Sequence, residues 1–110
     1  MTGSVRMSVQ WSVGIQESGA IAAALHSLMV DVRKEPGCLG CQVRTEVGEH
    51  ATLLFEEDWR DESDLRRELR SARFGTLANL MERSNQHPRV EFTLPGGVRG
   101  LDYAVEVRDA

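Results

Sequence analysis

Two glutamates carry the most chemical promise in this chain. Leu53, Phe55, Glu57 and Trp59 fall on alternate positions of an apolar run, so in an extended strand they share one face. Glu57 is thereby expected beside two aromatic side chains, on the face turned toward the helices. Glu68 follows in a helical stretch, three positions after Leu65 and four before Ala72. That spacing sets it on or beside the apolar stripe. Two carboxyl groups converging on one cavity near Trp59 would raise each other's pKa, through desolvation and like-charge repulsion, as a general base or acid requires. The plainer alternative has Glu68 reaching out to the rim and Glu57 paired with an arginine.

Other reactive residue types are fewer. His26 lies three positions before Met29, at the border of an apolar helical stripe. It is either a third proton acceptor or a partly buried helix histidine. His50 and His87 fall in a turn and a loop, and no histidine pair has the i, i+4 spacing of a helical metal site. Cys38 and Cys41 form a lone C-x-x-C, readable as a redox dithiol or half a zinc site. A second ligand pair is missing, and the motif enters a strand rather than a helix. Three extended residues span about 10 Å, beyond the reach of a disulfide. The two cysteines are therefore expected to be unbridged, with no metal bound.

The elements that position these groups are read from periodicity. Val5, Met7, Val9, Trp11, Val13 and Ile15 alternate with polar residues, giving a first strand. Ser18 offers an N-cap, and Ile21, Leu25, Leu28, Met29 and Val32 recur at helical spacing until Pro36-Gly37. Leu39 to Val47 alternates again, and Gly48-Glu49-His50 reads as a hairpin turn into a strand from Thr52 to Trp59. Asp61 to Asp64 resembles a capping box opening a helix with Leu65, Leu69 and Ala72. Phe74, Leu77, Ala78 and Met81 mark a second helical piece, and Asn85 to Pro88 a break. Val90, Phe92 and Leu94 predict a fourth strand, ended by Pro95-Gly96-Gly97. Leu101, Tyr103, Val105 and Val107 predict a fifth. Pro95 to Gly100 is thus a turn between strands, with no following helix to hold a phosphate. Arg66, Arg67, Arg70 and Arg73, interspersed with acids, read as a solvated helix face. The order β-α-β-β-α(α)-β-β is a split βαβ arrangement: an α+β, ferredoxin-like antiparallel sheet with helices on one face. The bare face asks for cover, which a second copy supplies most simply.

Composition bounds the rest. The 110 residues fit one domain spanning 1–110. Hydrophobic residues are 41% and charged residues 27%, the balance of an ordinary globular protein rather than a disordered one. Aromatic residues are only 5%, so the core must be mostly aliphatic. A net charge of -4 without a basic stripe argues against nucleic acid as a partner. No apolar run is long enough to span a membrane. Met1 to Gln10 lacks the apolar stretch of a signal peptide, so a cytoplasmic location is expected.

From Glu35 to Met81 the chain resembles the antibiotic biosynthesis monooxygenase domain family. The resemblance is carried by Glu35-Pro36-Gly37-Cys38-Leu39, by Leu54-Phe55-Glu56-Glu57-Asp58-Trp59, and by the helix Asp64 to Ser71 followed by Phe74. It implies a dimeric α/β-barrel fold. Many relatives place a histidine nine residues after the strand-end tryptophan, where this chain has Glu68. The family includes cofactor-independent enzymes that oxidise phenols or hydroquinones with O2, and haem-degrading members. The function expected from the resemblance is that of a cofactor-independent monooxygenase acting on a small aromatic substrate, as a homodimer. The alternatives are a non-catalytic small-molecule-binding dimer and a haem-binding or haem-degrading protein, the last disfavoured by the lack of an axial histidine on the helices after Trp59. The base candidates are Glu57, Glu68 and His26. Trp59, Phe55, Phe74 and Met29 are candidates to line the pocket.

Overall fold

The computed structural model describes residues 4–84 and 86–110. Five strands form one antiparallel sheet in the order β2-β3-β1-β4-β5. They are β1 (Val5–Val13), β2 (Cys38–Val47), β3 (Ala51–Trp59), β4 (Arg89–Leu94) and β5 (Gly97–Arg99). Four helices complete the fold: α1 (Ile15–Arg33), α2 (Glu62–Leu69), α3 (Ala72–Met81) and α4 (Leu101–Asp109). This is the α+β, ferredoxin-like class read from the pattern.

The alternation of β1 and β3 is what separates the two faces. Val5, Met7, Val9, Trp11 and Val13 of β1 are buried, as are Ala51, Leu53, Phe55, Glu57 and Trp59 of β3. The register sets Val9 opposite Phe55 and Met7 opposite Glu57. Ile21, Leu25, Leu28 and Val32 of α1 close over this layer, with Leu65 and Leu69 of α2 and Phe74, Leu77 and Met81 of α3. The other face carries a charged ladder. Arg6 binds Asp58 at 2.8 Å and Arg44 binds Glu56 at 3.0 Å.

Several local expectations are corrected. The fifth strand expected over Leu101 to Val107 is helix α4. Tyr103, Ala104 and Val107 face inward while Leu101 and Val105 are half exposed, so the buried stripe has helical spacing that alternate apolar positions conceal. The turn at Pro95-Gly96 joins β4 to the short β5, and a helix does follow it. Helix α1 has Gly14 rather than Ser18 at its N-cap. Ile15 therefore opens the helix instead of prolonging β1, and the Ser18 hydroxyl donates back to the Ile15 carbonyl at 2.7 Å. Asp61 does cap α2, accepting the Asp64 backbone N–H at 2.9 Å. The Asp64 carboxylate turns instead to Arg60 and Arg67, beneath Gly37. Gly37 has φ +85, and a Cβ there would collide with Asp64. The break expected from Asn85 to Pro88 begins on a residue outside those described.

A bulge between Cys38 and Gly40 shifts the register of β2. It turns Leu39 outward, 62% exposed, and sets Cys38 opposite Trp59 and Cys41 opposite Glu57. The premise of a 10 Å span is thereby corrected. Both cysteines face the interior, separated like strand neighbours i and i+2, about 7 Å. Neither is bridged.

Candidate active site

Strand parity and helix spacing bring Glu57 and Glu68 into one buried region. They are 2% and 3% exposed, and Trp59 is 1% exposed. The Trp59 indole N–H donates to Glu57 Oε1 at 2.9 Å, the only side-chain hydrogen bond to that carboxyl among the described residues. Glu68 is held differently. Arg73 Nε reaches its two carboxyl oxygens at 3.1 and 3.2 Å, and Arg73 Nη2 donates to Oε1 at 2.8 Å. The same Nη2 binds Glu35 at 2.8 Å. Glu35 lies in the turn before β2, so Arg73 ties that turn to the start of α3.

Burial dominates the electrostatics. It pushes the Glu57 pKa up to about 8, reinforced by the Glu68 charge and opposed by the indole bond and Arg73. Burial also raises Glu68, but the Arg73 hydrogen bonds and charge work against it. Arg73 itself is raised, chiefly by its bond to Glu68. The neighbouring thiols of Cys38 and Cys41 are both pushed up, by burial first and by the nearby carboxylates. A thiol so disposed is a poor nucleophile.

The other candidates are placed as follows. Phe55 is fully buried next to Glu57 on β3, and Met29 is half-buried against the core. Phe74 is buried on α3, with the Arg108 guanidinium 5.7 Å from its ring centroid. His26 is exposed on α1, which corrects the partly buried histidine expected there: its side chain leaves the stripe that Leu25 and Leu28 bury. Of the arginines read as a solvated face, Arg73 needs correction. Arg67 binds Asp64 and the Pro36 carbonyl, Arg70 the Val107 carbonyl, and Arg73 both Glu35 and Glu68. Arg67 and Arg70 remain exposed, as a solvated face requires, while making these ties; of the three, Arg73 alone turns inward. Glu35 and Arg73 are the site residues that sequence reasoning passed over. Their only signal was the position of Glu35 in the turn Glu35-Pro36-Gly37 that helps carry the family resemblance.

Surface clefts lie elsewhere. One of about 320 Å³ is lined by Arg33, Cys38, Leu39, Gly40, Cys41 and Gln42. Another of about 310 Å³ lies between Ala78, Met81, His87, Pro88, Val90 and Leu101. Neither is lined by Glu57, Glu68 or Trp59, but the first is lined by Cys38 and Cys41, the residues opposite Trp59 and Glu57 in the sheet. Among the described residues no cluster of three or more His, Cys, Asp or Glu side chains is placed to hold a metal ion, and no helix is long and apolar enough to cross a membrane.

A sheet of this order with helices on one face has counterparts among known proteins. The family described as antibiotic biosynthesis monooxygenase matches residues 5–79, and the chain belongs to that family. Solved structures share the fold at low identity. A conserved protein of Methanosarcina mazei is 24% identical, with a TM-score of 0.69 over 83% of this chain and 91% of that one. A candidate antibiotic biosynthesis monooxygenase of Nitrosomonas europaea is 13% identical, with a TM-score of 0.72 over 91% of each chain. A Bacteroides thetaiotaomicron protein of unknown function, suggested to be an oxidoreductase, is 16% identical, with a TM-score of 0.72 over 84% of this chain and 97% of that one. No curated protein matches the chain.

Proposed function

We propose that this protein is a monooxygenase that oxidises an uncharged phenol or hydroquinone with O2, drawing on no cofactor. The observation that carries the reading is a pair of carboxyl groups in an apolar interior, one of which burial pushes up to about 8. Triplet oxygen reacts slowly with closed-shell molecules, but a phenolate can give it one electron. A buried carboxylate accepts the phenolic proton. The phenolate then passes an electron to O2, and the phenoxyl radical and superoxide combine at a ring carbon. Loss of the ring C–H proton and cleavage of the O–O bond release water and leave a quinone. One oxygen atom ends in the quinone and the other in water, so no further reductant is needed. An uncharged substrate fits because the nearest cation, Arg73, is already shared between Glu35 and Glu68. Apolar Phe55 and Trp59 favour an aromatic ring.

The test is oxygen uptake with naphthols and with anaerobically reduced naphthoquinones, with and without protein. Protein-dependent uptake with quinone formation supports the reading. Uptake at the same rate without protein overturns it, and retained binding would then favour a non-catalytic binder. The bare sheet face supports a homodimer, the sheets meeting face to face and burying more than about 1,200 Å². Light scattering at micromolar concentration should give a dimer mass; a monomer mass overturns the assembly.

A further inference from the structure

We infer that Arg73 decides which of the two buried carboxyl groups carries the proton: it holds Glu68 as the carboxylate and leaves Glu57 to exchange a proton with the substrate. The assignment of a substrate proton rests on the oxidation proposed above; the division of the proton does not.

The geometry is asymmetric. One guanidinium reaches both oxygens of Glu68, three contacts between 2.8 and 3.2 Å. A guanidinium stays charged at any pH the fold survives, and a fork on a carboxylate is among the strongest of charge-assisted contacts. Glu57 has no such partner, only the neutral indole donor of Trp59. From α1 the one cation near Cys41, opposite Glu57, is Arg33, and its guanidinium donates to the Cys41 carbonyl at 2.7 and 3.0 Å. On β2 the groups facing Glu57 are the Cys38 and Cys41 thiols, which burial keeps protonated. Met7 lies opposite on β1 and brings no charge. From α2 and α3 come Glu68 and Arg73. Once Glu68 is anionic, a second negative charge at Glu57 meets both desolvation and repulsion. Glu35 anchors Arg73 from the outside at 2.8 Å, with the two side chains 31% and 29% exposed. The guanidinium is therefore fixed over Glu68 and cannot lean to Glu57 without leaving Glu35. Arg73 is a positioning residue: it acts on the substrate through the carboxyl groups and does not touch it.

Infrared spectroscopy in D2O reads protonated carboxyl groups directly and needs no turnover. At pH 7 the wild type should show one buried protonated carboxyl. Glu57→Gln should remove it. Arg73→Gln should add a second, because Glu68 loses its cation, and Arg73→Lys should return the count to one. In the oxidation assay Arg73→Gln should move the pH profile by about one unit or more while leaving KM within about twofold, and Arg73→Lys should restore the profile. If Arg73→Gln does not fold, Glu57→Gln alone decides. A protonated carboxyl that survives Glu57→Gln, or a count unchanged in a folded Arg73→Gln, overturns the inference. Infrared counts as expected with no oxygen uptake would instead sink the proposed oxidation and leave this division standing.

Discussion

Glu56 and Glu57 are neighbours in sequence and opposites in circumstance. Glu56 sits on the helix-free face, where Arg44 binds it at 3.0 Å and Arg6 approaches to 3.6 Å. Glu57 points the other way, into the core, with an indole for company and another acid nearby. One step along a strand, about 3.4 Å, reverses the face. Residue type therefore says little about whether a carboxylate is ballast or a proton carrier. What decides is which side of the sheet it occupies and whether a cation meets it there.

The comparison breaks or holds most visibly in the oxidation rate. Glu57→Gln keeps the shape and removes the proton acceptor that Glu57 becomes once ionised, so above about pH 8 the rate should fall by roughly 10²–10⁴-fold. Glu56→Gln should leave it within about twofold. Equal losses in a steady-state oxygen-electrode assay would erase the distinction. Stability against pH gives the next largest effect. A carboxyl whose folded pKa of about 8 exceeds its unfolded value binds more protons when folded. Its contribution is fully present below about pH 4.5 and is lost as pH rises to about 8, at up to about 1.4 kcal/mol per pH unit. Urea unfolding between pH 5 and 8 should therefore show wild-type stability falling relative to Glu57→Gln; parallel curves would contradict the buried acid. Trp59→Phe sharpens the same point by deleting the one hydrogen bond that favours ionised Glu57. The infrared midpoint of that carboxyl should rise by about half a unit to one unit, whereas a fall would mean the indole serves packing alone. The smallest effect belongs to the outer face. A double-mutant cycle on Arg44 and Glu56 should give a coupling below about 1 kcal/mol, weakening with salt, because Arg44 is 62% exposed. A larger, salt-independent value would mean that the outer ladder is buried by a partner.

What the sequence made legible follows from period. Strict alternation in β3 leaves one choice of face for Glu57, and three- and four-residue spacing leaves one for Glu68. Both choices depend only on near neighbours. The features that escaped depend on distant ones. The Arg73–Glu35 bond joins residues 38 apart, and nothing local distinguishes that arginine from Arg66 or Arg70. The bulge at Leu39 adds one residue to a strand whose alternation looks unbroken without its partner. Helix α4 escaped because apolar residues occupy both alternate positions and helical ones, and burial of Tyr103, Ala104 and Val107 breaks the tie only after folding. Exposure of His26 belongs to the same class: it lies one step off the stripe, and one step suffices.

The sheet ends asymmetrically. β5 closes one side with three residues, while β2 leaves ten along the other, with a neighbour only in β3. An edge strand of ten residues is a template for fibre growth, and Val47 on it is 68% exposed, although Arg33 already occupies the Cys41 carbonyl. Arg44 and Glu46 stand within that strand, and the bulge at Leu39 breaks its straight run at the other end. Charge and kink together make a flat stack of such edges costly, so the strand that carries both cysteines to the interior also carries the chain's protection against aggregation.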